Sequence, residues 1–337
     1  MITIKELARL AGVSTTSVSN VIHGKQQKVS AQTRELINTL INEHHYVEKL
    51  GLRHLNNARS QIICLTVNPR KLFEHNVCND PFYGQILSTV ERALQGKNYY
   101  LMAYNSADVN EIFRTAAAWN IDGLIALAFD RDDCDTLATR TGKPVVSIDG
   151  TGGVTENFVN VGLENALGGY LMAQYLINAG YEELWALATA GIGVDQQRFA
   201  GCERAFAEAR LPFNPDRHVF MSDNPAARIA RYEELLPLWT QSTAKKRALF
   251  FFSDLYALEC LAFLSGRGVH IPDDIAIAGY DDLCCSALSN PPLTTVRQNV
   301  PHKAEQAVAQ LFRLLDQEAG PARDIRLPVA LVIRAST

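Results

Sequence analysis

With 337 residues, 47% of them hydrophobic, the chain can bury a large core and is long enough for two or three globular domains. No apolar run approaches the roughly 18 residues that a membrane span needs, and no secretory leader is legible at the start, so a cytoplasmic location and no membrane partner are expected. The net charge of −4 argues against a nucleic-acid partner until it is divided along the chain: residues 1–60 hold eight Lys/Arg against four Asp/Glu, or +4, which leaves −8 on the remainder. A small basic module on an acidic body is the asymmetry expected when one end meets phosphate and the rest does not. The seven cysteines, an odd number with no metal-ligand spacing, read as small buried hydrophobes, and neither a metal nor a cofactor is expected.

The opening residues predict three short helices. Thr3-Ile4-Lys5-Glu6 is a capping box, followed by an apolar face of Ile4, Leu7, Ala8 and Ala11. Gly12 stops this helix; Ser14 is a good N-cap for a second, whose buried side is Val18, Val21 and Ile22 and which ends near Gly24. Ser30 caps a third with Thr33, Leu36, Ile37, Leu40 and Ile41 at helical spacing. Helix, tight turn, helix leaves Thr15, Thr16, Ser19 and Asn20 on the end that enters the major groove in a helix-turn-helix. The threonines offer a hydroxyl to a base edge or phosphate and a methyl to thymine, and Asn20 can pair bidentately with adenine; taken singly, the same residues merely cap and solvate a helix.

After residue 60 apolar runs alternate with helical patterns. QIICLTV, YYLMAY, IDGLIAL and PVVSI are separated by helices over 83–96, 109–119 and 132–141. FVNVG, LWALA, HVFM, RALFFF and DIAIAGY follow, separated by helices over 164–179, 195–210, 225–240 and 254–266. So many alternating units predict two doubly wound α/β lobes with parallel sheets, and a ligand in the cleft between them at the strand C-terminal ends.

The run TIKELA, then LAGVS, SVSNVIHGK and VSAQTRELI, closely resembles in spacing and residue type the DNA-binding headpiece of the lactose/galactose repressor (LacI/GalR) family. At the far end IAIAGYDDL, PPLTTVRQN and LPVALVIRAST resemble that family's effector-domain signatures, so the likeness spans nearly the whole chain. It implies a helix-turn-helix headpiece at 1–46, a hinge linker at 47–60, and a two-lobed, periplasmic-binding-protein-like effector and dimerisation core at 61–337 whose chain crosses between lobes near 160, 292 and 324. The implied function is a transcriptional repressor, a homodimer binding a pseudo-palindromic double-stranded DNA operator under control of a small molecule, a sugar or sugar derivative. The DNA-contacting set is then Thr3, Ser14, Thr15, Thr16, Ser19, Asn20 and His23. Asn20 stands where the family commonly has Arg. In relatives the linker carries Pro-Asn and then Ala-Arg-x-Leu and drives a leucine into the minor groove; here the pairs are Glu48-Lys49 and Leu52-Arg53-His54-Leu55, and Leu55 keeps the wedge position.

For the effector the resemblance points to Arg198, in an Arg-x-x-Gly spacing and suited to bidentate contact, and to Asp281 as a hydroxyl acceptor. Asp254 follows its strand in the same manner, with a helix-capping role competing equally. Glu164 stands where many relatives have Asp, and Ser253 where several sugar binders have Asn. Phe82, Tyr83 and Phe129 can supply stacking surfaces, although aromatic residues after strands are more often core. Gln298 is expected at the lobe junction. The rival from another class is a sugar-processing α/β enzyme, but AGIGVDQQ is only a lone Gly-x-Gly and no catalytic constellation is present, so no enzymatic activity is expected.

Overall fold

The computed structural model describes residues 2–22, 24–25, 28–44, 46, 59–69, 77–151, 154–189, 191, 193–241, 244–317 and 323–337. It divides into two units, Met1–Arg59 and Ser60–Thr337.

In the first unit, helices α1 (Ile4–Ala11), α2 (Thr15–Ile22) and α3 (Ala31–Glu43) enclose a core of Leu7, Ala8, Val18, Val21 and Ile37. The start of α1 is the predicted capping box, with Glu6 N–H donating to Thr3 Oγ1 and Thr3 N–H to Glu6 Oε2. Gly12 ends α1 in the left-handed region at φ 65°, where glycine carries no Cβ penalty. Ser14 and Ser30 accept from Ser17 N–H and Thr33 N–H, as their cap positions require. One core residue differs from expectation: Leu36 is 45% exposed, because Ile37 one position on takes the buried side of α3.

The second unit holds two six-stranded sheets. The first contains β1 (Ile62–Val67), β2 (Tyr100–Ala103), β3 (Gly123–Leu127), β4 (Val145–Ile148), β5 (Phe158–Leu163) and β11 (Asp324–Leu327) in the order β11-β5-β4-β3-β1-β2, all parallel. The second contains β6 (Glu183–Ala188), β7 (His218–Phe220), β8 (Arg247–Phe251), β9 (Ala276–Asp281), β10 (Thr294–Arg297) and β12 (Ala330–Val332) in the order β12-β10-β9-β8-β6-β7, parallel except for β12 on β10. Strands read as continuous apolar runs because helices cover both faces, and β3, β4, β5 and β6 are buried throughout. Crossover helices α4 (Pro81–Gln95), α5 (Val109–Ala118) and α6 (Arg131–Thr141) serve the first sheet; α7 (Asn165–Asn178), α8 (Val194–Glu208), α9 (Pro225–Thr240) and α10 (Asp254–Ser265) serve the second.

The chain passes between lobes after Leu163, after Arg297 and after Leu327, each a few residues later than 160, 292 and 324. The reason is that β5, β10 and β11 run to completion before the chain leaves its sheet. The last helix, α11 (Val300–Leu315), packs on α4 and beneath β3, β4 and β5, which returns the chain to the first lobe.

Candidate functional sites

At the start of α2, Ser14, just before it, and Thr15 and Thr16 are exposed, whereas Ser19 and Asn20 are half-buried one turn further on. Thr3 is exposed, but its hydroxyl is engaged by Glu6. His23, Leu55 and the linker 47–58 lie outside the described residues.

A cavity of about 430 Å³ lies between the lobes of the second unit, at the C-terminal ends of both sheets. Ala128, Asp149 and Thr151 follow β3 and β4 into it; Thr189, Ser222, Phe252 and Ser253 follow β6, β7 and β8; Asp281 ends β9 and Gln298 follows β10. This is where open α/β sheets expose backbone and loops to a ligand. Ala128, Asp149 and Asp281 all hold φ in the left-handed region, at 62°, 53° and 123°, strain of the sort that accumulates at binding sites.

Four of the eight predicted effector residues line the cavity: Phe82, Arg198, Ser253 and Asp281. Arg198 is 6% exposed, and its orientation is fixed on three sides. Nε donates to Asn165 Oδ1 at 3.0 Å, Nη1 donates to the Phe252 carbonyl, and the guanidinium carbon lies 3.7 Å from the Tyr280 ring centroid. Asp195, 3.9 Å from Nη1, is itself held by Thr189 N–H and Oγ1. Asp281 accepts from Gln298 Nε2 at 2.6 Å, and burial pushes its carboxyl pKa up to about 8 despite Arg198 nearby.

The other four do not line it. Tyr83, the third residue after the cap of α4, turns into the core against Ile86 and Val90, while its neighbour Phe82 faces the cavity. Phe129 is fully buried among Ile112, Leu124 and Leu137, on the outer side of the first sheet. Glu164 is exposed at the cap position of α7 and makes no side-chain capping bond. Asp254 is completely buried, does not line the cavity and is not the N-cap, a position Ser253 occupies. It accepts from Leu283 N–H at 3.0 Å, Thr295 Oγ1 at 2.6 Å and Ser286 Oγ, tying α10 to the loop after β9 and to β10; burial raises its pKa to about 6.

Residues 3–48 match the family model of bacterial regulatory proteins, lacI family, and residues 173–337 match that of a periplasmic binding protein-like domain. The ribose operon repressor of Haemophilus influenzae is 30% identical over 343 residues, covering 100% of this chain and 98% of that protein. The chain belongs to the LacI family. The HTH-type transcriptional repressor PurR of Pasteurella multocida is 29% identical over 344 residues, covering 100% of this chain and 98% of that one. Among solved structures, the transcriptional regulator CelR–cellobiose complex matches over the whole of both chains with a TM-score of 0.73 and 26% identity. The lac repressor dimer bound to operator and the anti-inducer ONPF shares the fold, with a TM-score of 0.82 at 21% identity over 99% of this chain and 98% of that chain. This LacI-family chain is thus a DNA-binding transcriptional repressor under effector control, not a sugar-processing enzyme. Among the described residues no helix is long and apolar enough to cross a membrane.

Sequence reasoning missed Asp149 and Lys303. Lys303, on α11, is fully buried and donates to Asp149 Oδ2 and Gln298 Oε1, each at 2.6 Å. Because Gln298 also donates to Asp281, a chain of hydrogen bonds behind the cavity joins a carboxylate of one lobe to a carboxylate of the other. A signal was available: Asp149 follows its strand as Asp281 does, and Lys303 interrupts the apolar stripe Val300, Ala304, Ala307, Val308, Leu311.

Proposed function

We propose that this repressor acts in the cytoplasm as a homodimer on a pseudo-palindromic operator, residues 1–46 supplying the headpiece, 47–60 the hinge and 61–337 the effector and dimerisation core. Thr15, Thr16, Ser19 and Asn20 read bases in the major groove, Thr3, Ser14 and His23 contact the backbone beside them, and Leu55 acts as the minor-groove wedge. The effector is a sugar or sugar derivative held between the lobes by Arg198, Asp281, Ser253 and Phe82, with Asp149 and Gln298 added to the set. The observation that carries this reading is a cavity of about 430 Å³ walled by both lobes, in which a buried arginine, Asp149 and Asp281 stand among the lining polar groups beside the rings of Phe82, Phe252 and Tyr256. Polar groups fixed in orientation beside apolar faces suit a hydroxyl-rich ring. The solved relative named as a complex with cellobiose supports the same class.

The test is fluorescence anisotropy with DNA from upstream of the chain's own coding region, with and without a panel of sugars. Specific retention that one sugar shifts in the wild type but not in Arg198→Ala is the expected result. Retention no stronger than on scrambled duplex at the same salt would remove the operator assignment.

A further inference from the structure

The charge of the cavity wall carries a statement about its ligand, resting on the effector reading above. Five carboxylates line the cavity, Asp80 and Asp149 from the first lobe and Asp195, Asp223 and Asp281 from the second, while Arg198 is the one cationic side chain among the described lining residues. The cations behind the wall are already spent: Lys303 on Asp149 and Gln298, and Arg228 on Glu259 at 2.7 Å. Arg198 has Nε and Nη1 committed to Asn165 and Phe252. Asp149 keeps its other oxygen, Oδ1, buried and without a hydrogen-bond partner among the described residues. Even with Asp281 protonated, Asp80, Asp149, Asp195 and Asp223 outnumber Arg198, and a wall with this charge repels anions and favours a cation.

We infer that the effector is a hydroxyl-rich molecule carrying a protonated amine, of the amino-sugar class, whose ammonium is received by Asp149 and Asp281 from the two lobes while its ring lies against Phe82, Phe252 and Tyr256. Aromatic faces add to the binding of a cation as well as of a sugar ring. Burial raises the Asp281 pKa to about 8, and an ammonium beside it favours the carboxylate, so binding at neutral pH is expected to release a proton to the buffer.

The test is isothermal titration of the full-length repressor at neutral pH with three matched series: glucose, galactose and mannose, the 2-amino-2-deoxy form of each, and the 6-phosphate of each. In at least one series the amine is expected to bind at least tenfold more tightly than its parent and the phosphate not to bind. Heats measured in buffers of different ionisation enthalpy should show proton release, and Asp281→Asn should lose both the release and the tenfold preference. Asp149→Asn, tested if Asp281→Asn is poorly folded, should lose the preference. A parent sugar that equals or outranks its amine, or a phosphate that binds, overturns the charge assignment and leaves a carbohydrate cleft intact. No binding in any series overturns it too, and operator retention, which needs no ligand, tells that outcome from a failure of the repressor assignment.

Discussion

Lys303 Nζ lies 2.6 Å from Asp149 Oδ2, and the lysine side chain is wholly buried while the aspartate keeps 14% exposure at the cavity wall. A buried pair need not stabilise relative to an apolar one of the same shape, but losing one partner strands the other. Lys303→Met should therefore lower the unfolding free energy by about 3 kcal/mol, the low end of such losses. Urea denaturation of Lys303→Met, Asp149→Asn and the double variant should show that the double costs less than the sum of the singles. Additivity to within about 0.5 kcal/mol would mean the two groups are not coupled.

The raised pKa of Asp281 makes the ligand-free core sensitive to pH. With a folded value of about 8 against an ordinary 3.8, the folded state holds a proton that the unfolded chain gives up, so this contribution is full below about pH 4 and is lost as pH rises to 8. Asp254, raised to about 6, adds a smaller effect of the same sign between pH 4 and 6. Melting temperatures across pH 5–9 should fall less steeply for Asp281→Asn than for the wild type; parallel curves would place the Asp281 carboxyl at an ordinary pKa.

How much of this site was legible in sequence depended on whether a residue's role was set by local pattern or by partners far along the chain. Capping at Thr3, Ser14 and Ser30, the turn at Gly12 and the strand-helix alternation are local, and the structure follows them. Arg198 and Asp281 were legible through spacing shared with relatives. Phe82 and Tyr83, adjacent and both aromatic, part into cavity and core only because α4 turns successive side chains about 100° apart. The burial of Asp254 behind the cavity was not legible, since its partners, Ser286 and Thr295, are 32 and 41 residues away and no short-range signal announces them. Asp149 and Lys303 are 154 residues apart, and their pairing exists only because α11 returns to the first lobe.

Helices α7 and α8 approach so closely that a Cβ on Gly201 would overlap the Ala166 carbonyl oxygen and one on Gly169 the Arg198 carbonyl oxygen. The contact is backbone on backbone, which no rotamer change relieves. Gly201→Ala should push the helices apart, destabilise the core by about 3 kcal/mol as an overpacked site, and shift Arg198. The check is calorimetry together with sugar-dependent operator release, both of which should decline. Gly180→Ala, on a turn with open space around its Cβ but φ of 83°, should cost only about 1 kcal/mol and leave the response intact.

Ser253 and Asp254 are neighbours in sequence with opposite surroundings. Ser253 is half-buried on the cavity wall, and its side chain makes no capping bond to α10. Asp254 has no exposure and accepts three hydrogen bonds, two from the loop after β9 and one from Thr295 on β10. Asp254→Ala leaves a buried amide and two buried hydroxyls without their acceptor, at about 1–3 kcal/mol for each group not rescued by water, so a loss of at least 3 kcal/mol is expected in urea denaturation. Operator affinity should be retained at temperatures where the variant is folded. Ser253→Ala should alter stability by no more than about 0.5 kcal/mol, as a substitution outside the packed core does. It should instead weaken sugar binding by about fivefold, since a single neutral hydrogen bond is worth about 1 kcal/mol. If Ser253→Ala lost stability and kept its sugar affinity while Asp254→Ala did the reverse, the division between cavity wall and core would be drawn on the wrong side of that peptide bond.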